Sequence, residues 1–295
     1  MKFALSVLLL LLVAAAAFGQ TQSAPTLRIV TEDPNLPSEL YYGDIKVKPL
    51  RLRPGTNTLI TIKDSDFFVQ QHYIDFLGRM PEPAGFAFWL NILNTCSSLT
   101  DNAQCDRTFV SSRFFMSDEF QERGYRVYKL YDAVLGRLAH FQEFMDDVRR
   151  LNGPKTVAEQ EVANAAYFKD FYNKAEFQAI YGQYTAADAF VNALCAKAGV
   201  TPANKAALIQ TAQTDKPAAL RGFVESPEVS AKFYDNGFIA MQYYGYLRRE
   251  PEAAGFKFWQ QKMIETNHDY RFMVRGFIQS DEYILRFNTL QDGKF

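Results

Sequence analysis

Two sets of residues have the composition of a ligand site. Tyr73, Arg79, Glu82 and Trp89 recur in the same order and spacing as Tyr243, Arg249, Glu252 and Trp259. An aromatic face beside a guanidinium and a carboxylate suits a sugar, whose C–H face stacks while its hydroxyls take directed hydrogen bonds. The plainer alternative is packing. Tyr and Trp then fill the space between helices, while Arg79 bonds helix-end carbonyls or Glu119. Each set recurs together with its turn residues, which favours packing, the usual fate of buried aromatics.

Catalytic chemistry has little to build on. His72, His140 and His268 occur singly, none at a metal-ligand spacing. There is no Gly-x-Ser-x-Gly elbow and no phosphate-cradling glycine loop. Asp118-Glu119 and Asp146-Asp147 are sequence neighbours, which puts their carboxylates on different helix faces. A glycosidase needs two carboxylates about 5–10 Å apart across a cleft. Asp101, Asn102 and Asp106 could offer oxygens to calcium, but they lack the glycine-containing acidic loop of such sites. Cys195 shares an apolar face with Phe190 and Leu194 and reads as an inert buried thiol. The expectation is no catalytic residue, no metal and no cofactor.

The elements that would position these residues are copied along the chain. YIDFLGRMPEPAGFAFW (73–89) realigns on YYGYLRREPEAAGFKFW (243–259), and a closing signature follows each: FFMSDEF (114–120) and GFIQSDEY (276–283). Weaker copies are YDAVLGR (131–137), NKAEF (173–177) and RGFVESPEV (221–229). The closing signatures end at Phe120, Phe177, Val229 and Tyr283, which implies four units, approximately 65–125, 126–183, 184–231 and 232–295. Each unit reads as two or three helices. Phe68, Val69, His72, Tyr73, Phe76 and Leu77 keep the helical period. Gly78 suits a left-handed cap, Pro81-Glu82 starts the next helix, and Ser117-Asp118-Glu119 opens a further one. Gly85 and Gly255 sit where a helix start packs closely against its neighbour.

Before the helical units, residues 20–64 form a short β-rich region. IKVKPLRLRPGTNTLITI (45–62) alternates apolar and polar residues on both sides of Pro54-Gly55, which predicts a hairpin turning there. The fold class is therefore mainly α, with tandem helical units preceded by a small hairpin region.

Residues 1–19 carry the pattern of a cleavable export signal: Lys2, an apolar run from Phe3 to Ala17, and the small-residue site Ala17-Phe18-Gly19. In an oxidising compartment Cys96 and Cys105 would pair, closing a loop that holds the seven extra residues of the first unit. The loop-entropy model puts such a short closure at roughly 2–3 kcal/mol. With 32 Lys and Arg against 33 Asp and Glu, no basic excess points to nucleic acid. No later segment is long and apolar enough to span a membrane.

The pattern Tyr73…Leu77-Gly78-Arg79-x-Pro81…Gly85…Trp89 with the Ser117-x-Glu119-Phe120 close resembles a bacterial family of domains of unknown function. That family recurs in secreted, surface-layer and calcium-repeat proteins, and is distantly similar to the linker domains of phycobilisomes. Arg248 stands where the family has Gly. The resemblance carries over no catalytic residue. It implies a secreted, non-catalytic interaction or scaffold role, extracellular or periplasmic, with a protein or glycan of the cell envelope or matrix as partner. A carbohydrate-binding module and an enzyme of another type are the alternatives.

Overall fold

The computed structural model describes residues 27–30, 39–42, 45–47, 60–96, 104–152 and 156–288. The export signal expected over 1–19 lies outside them, so nothing in the structure bears on it. From Ser65 onward the chain is helical: α1 (Ser65–Leu77), α2 (Pro83–Asn94), α3 (Arg107–Met116), α4 (118–135) and α5 (Phe141–Asn152). There follow α6 (Val157–Tyr172), α7 (Ala175–Tyr181), α8 (Ala187–Ala198), α9 (Lys205–Ala212) and α10 (Lys216–Val224). The last four are α11 (227–247), α12 (Ala253–Glu265), α13 (Tyr270–Ile278) and α14 (Asp281–Asn288). The mainly helical class is as expected.

The sheet differs from expectation. Three short antiparallel strands, β1 (Leu27–Val30), β2 (Glu39–Tyr42) and β3 (Ile45–Val47), pair in the order β1-β2-β3. β3 pairs backwards onto β2, with Tyr42 opposite Ile45, and not forwards across Pro54-Gly55. Of the forward arm, 48–59 lies outside the described residues, and Ile60 is in neither helix nor strand. The physical reason lies in the sequence between the paired strands. Gly43-Asp44 is a two-residue hairpin dipeptide, a shorter closure than the stretch through Pro49 and Pro54, which cannot donate to a ladder.

Local chemistry places the helix ends. Ser117, Ser226 and Asp106 accept the backbone N–H three residues on at the starts of α4, α11 and α3. Ser280 does the same for Tyr283 at the start of α14. α1, α4 and α8 end on Gly78, Gly136 and Gly199 in the left-handed region. α11 ends the same way on Arg248, with φ 55° and ψ 43°. The cap therefore survives the loss of glycine, at a cost on the order of 1 kcal/mol for the Cβ. Its guanidinium lies over the Phe141 ring, 5.6 Å from the centroid.

The core is aromatic and links the ends of the chain. α1 packs on the last turn of α11, and α3 packs on α13. Phe76 and Tyr246 meet edge-on at 5.0 Å, where Gly245 lets the Phe76 ring approach the helix backbone. Buried Asp75 accepts from Arg286 at 3.0 Å. The middle of the chain is joined alike: the last turns of α4 pack on α8, and α6 packs on α10. The long helices α4 and α11 cross, with Tyr125 edge-on to Tyr234 at 5.8 Å. Cys96 and Cys105 form the expected disulfide, clipping the end of α2 to the start of α3. Cys195 is buried and free.

Candidate functional site

Of the residues singled out as a ligand cluster, Tyr73, Arg79 and Glu82 are brought together and bond one another, Arg79 also bonds Glu119, and Trp89 packs on Phe114. Tyr73 is buried in α1, and Arg79 follows the Gly78 cap. There the Arg79 N–H donates to the Tyr73 carbonyl at 3.3 Å, six residues back, while Gly78 N–H donates to Ile74. This wide turn sets the Arg79 guanidinium over the Tyr73 ring, 5.0 Å from its centroid. Arg79 Nε and Nη2 then donate to the two oxygens of Glu119 at 2.7 and 2.6 Å, a bidentate pair. Nη1 donates to Glu82 Oε2 at 2.5 Å and to the Met80 carbonyl at 3.1 Å. Glu82 occupies the position just before α2, and Glu119 lies in the first turn of α4, where a helix dipole favours a carboxylate. One guanidinium thus ties the end of α1 to the starts of two other helices.

The copy at the other end repeats these bonds. Arg249 donates to Glu282 at 2.6 and 3.0 Å, to Glu252 at 2.5 Å and to the Glu250 carbonyl at 3.0 Å, and stacks 5.2 Å from the Tyr243 centroid. A third instance is one that reading the sequence for sites did not name. Arg137 stacks 5.0 Å from Tyr131, donates to Glu176 at 2.8 and 2.7 Å, to Glu143 at 2.9 and 3.0 Å, and to the Leu138 carbonyl at 3.0 Å. The signal was present in YDAVLGR and NKAEF, which carry Arg137 and Glu176. Where α8 ends, Val200 replaces the arginine. There Glu228 reaches the Ala203 N–H directly at 2.9 Å, and Lys232 donates to the Gly199 carbonyl.

The electrostatics follow the bonds. Donation to Glu119 raises Arg79 further above the usual arginine range, and Glu282 does the same for Arg249. Desolvation opposes ionisation of Glu82 and Glu252, yet the bonds from Arg79 and Arg249 hold both below the ordinary glutamate value. Burial and the neighbouring carboxylate push the Tyr73 and Tyr243 phenols up to about 12. Trp89 and Trp259 lie half-buried against Phe114 and Phe277, at 5.7 and 5.2 Å. Four donors of Arg79 are committed within the protein, which is the packing arrangement, with Glu119 as partner, that the recurrence favoured over a sugar-facing guanidinium.

A second arrangement has the residue types of a nucleophile and base. His72 Nε2 lies 2.6 Å from Ser111 Oγ, which hydrogen-bonds the Tyr246 hydroxyl, while His72 Nδ1 lies 2.8 Å from the Phe68 carbonyl. His72, Ser111 and Tyr246 are all buried where α1, α3 and α11 meet, so a substrate has no path to the pair. Its role is to satisfy polar groups in the core. Desolvation pulls His72 down to about 4. The unfolded chain therefore takes up the proton first, and stability contributed by neutral His72 is lost as pH falls from about 6.5 towards 4. About 2 kcal/mol should vanish between pH 8 and pH 5. Gln242, buried in α11, donates to Phe238 four residues back just as His72 faces Phe68. His72→Gln should keep that bond and flatten the pH dependence, as read by urea unfolding at the two pH values.

Among the described residues no group of three His, Cys, Asp or Glu side chains is arranged to hold a metal. Asp106, weighed as a calcium ligand, is fully buried and accepts from Phe109 N–H and from Arg271; Asp101 and Asn102 lie outside the described residues. Among known proteins, residues 220–287 match the family described as domain of unknown function (DUF4214). That stretch runs from α10 through α14 and contains the Tyr243–Arg249–Glu252–Glu282 clasp. No curated protein and no solved structure matches the chain.

Proposed function

We propose that the chain is an exported, non-catalytic interaction or scaffold protein of the bacterial cell envelope or matrix, assembled from four related helical units. The observation that carries this reading is what the recurring residues leave outside. α2 is an apolar helix and α12 a mixed one with the same aromatic positions, and each has only one buried side chain, Leu93 and Met263. Phe88 and Phe258, at matching positions on them, are 57% and 49% exposed. Exposed aromatics repeated at matching places on a rigid helical body suit a partner-binding surface. The clasps supply the rigidity, and the Cys96–Cys105 disulfide is compatible with life outside the cytoplasm.

The test is a pull-down of envelope and matrix fractions with the purified chain and with a Phe88→Ala/Phe258→Ala variant. Retention of a defined protein or glycan by the native chain, lost in the variant while its helical circular dichroism is unchanged, supports the reading. Failure of the native chain to retain anything, or identical retention by the variant, contradicts it.

A further inference from the structure

Where α4 and α11 cross, the surface opens into a groove of about 410 Å³. Its walls include Glu122, Tyr125, Arg126 and Lys129 of α4, Glu225 at the end of α10, and Ser230 and Tyr234 of α11. Lys129 is 5% exposed. Its ammonium donates to Ser230 Oγ at 2.7 Å and lies 4.8 Å from the Tyr125 ring centroid. Among the described residues no carboxylate forms an ion pair with it. The neighbouring cation is compensated: Arg126 Nε meets Glu225 at 2.9 Å, and Nη1 donates to Asn164 at 3.0 Å. Asp75 with Arg286 and Asp106 with Arg271 are buried charges paired directly, whereas buried Arg107 donates to the Ile62 and Lys63 carbonyls. Glu225 lines the same groove but is engaged by Arg126, so a ligand anion would add the direct ion pair that the desolvated ammonium lacks.

We infer that this groove binds a small hydroxylated monocarboxylate of the sugar-acid class, with its carboxylate against Lys129 and Ser230. Three observations select this class. The buried cation suits one anionic group. Glu122 and Glu225 on the walls repel a second negative charge, which disfavours phosphate dianions, yet they accept hydrogen bonds from ligand hydroxyls. Tyr125 and Tyr234 offer apolar ring surface beside these polar groups, the mixture that sugar rings require. Burial, then the nearby Arg126 charge, pulls Lys129 down to about 8 against the opposing influence of Glu225. The groove contains none of the clasp residues and is independent of the exposed faces of α2 and α12.

The experiment is calorimetric and NMR titration of the full chain with glucuronate, and in parallel with glucose, acetate and inorganic phosphate. Glucuronate should bind at least roughly tenfold more tightly than glucose or phosphate, and Lys129→Met should weaken it by roughly tenfold or more. In the native chain, glucuronate should also slow reductive methylation of Lys129, a readout that does not depend on the variant folding. Equal or tighter binding of phosphate, glucuronate affinity unchanged by Lys129→Met, or unaltered methylation under saturating glucuronate would each overturn the assignment.

Discussion

Gly85→Val and Gly255→Val are each expected to lower unfolding stability by about 2–3 kcal/mol. A side chain at Gly85 would run into the Tyr73 hydroxyl and Glu82 Oε1, and one at Gly255 into the Tyr243 hydroxyl and Glu252 Oε1. These are ends of side chains, which often swing aside, but here they are pinned. Tyr73 is buried with Arg79 stacked on it, and Glu82 is held by the same guanidinium. Room for a valine comes only by opening the clasp. Ala84→Val and Ala254→Val, at exposed neighbours in the same turns, should change stability by less than about 0.5 kcal/mol. Urea unfolding of the four variants checks this. Equal effects at the glycines and their neighbours would contradict it.

The second large effect is expected at Asp106. Its fully buried carboxylate caps α3 by accepting from Phe109 N–H at 2.7 Å, and accepts from Arg271 of α13 at 2.7 and 3.2 Å. Asp106→Ala removes a cap, at about 1 kcal/mol, and a charge-assisted link between α3 and α13, at about 2 kcal/mol. The total is about 3 kcal/mol. Asp269, at the matching position before α13, accepts from Phe272 N–H alone among the described contacts. Asp269→Ala should therefore cost only about 1 kcal/mol. The difference measures what holds the two ends of the chain together. Unfolding midpoints that fall equally in the two variants would show that the Arg271 link contributes nothing.

Much of this arrangement was legible in the residues, and its limits follow from range. Gly78 and Ser117 announce their caps through local chemistry, and Arg79 with Glu119 could be named as partners because both belong to recurring signatures. Gly85 was readable for the same reason. Arg137 and Glu176 were within reach but went unnamed, because Trp, the most conspicuous residue of the pattern, is missing from that copy. The left-handed Arg248 could not be foreseen from its own preference. Tertiary contacts with Phe141 and Asp75 surround a backbone state that isolated arginine avoids. The pairing of β3 with β2 was missed because alternation marks strands without naming partners. The Lys129 groove is the least local feature of all. Its walls come from helices that meet only when α4 crosses α11, and nothing in the period of either helix marks the crossing.

The account depends on the arginine sets being clasps between helices, and a double-mutant cycle on Arg79 and Glu119 measures that directly. The two are 26% and 23% exposed, so solvent screening tempers the bidentate geometry. Unfolding free energies of Arg79→Met, Glu119→Gln and the double variant should give a coupling energy of about 1 kcal/mol favouring the native pair. Coupling near zero, with Arg79→Met as stable as the native chain, would contradict the clasp.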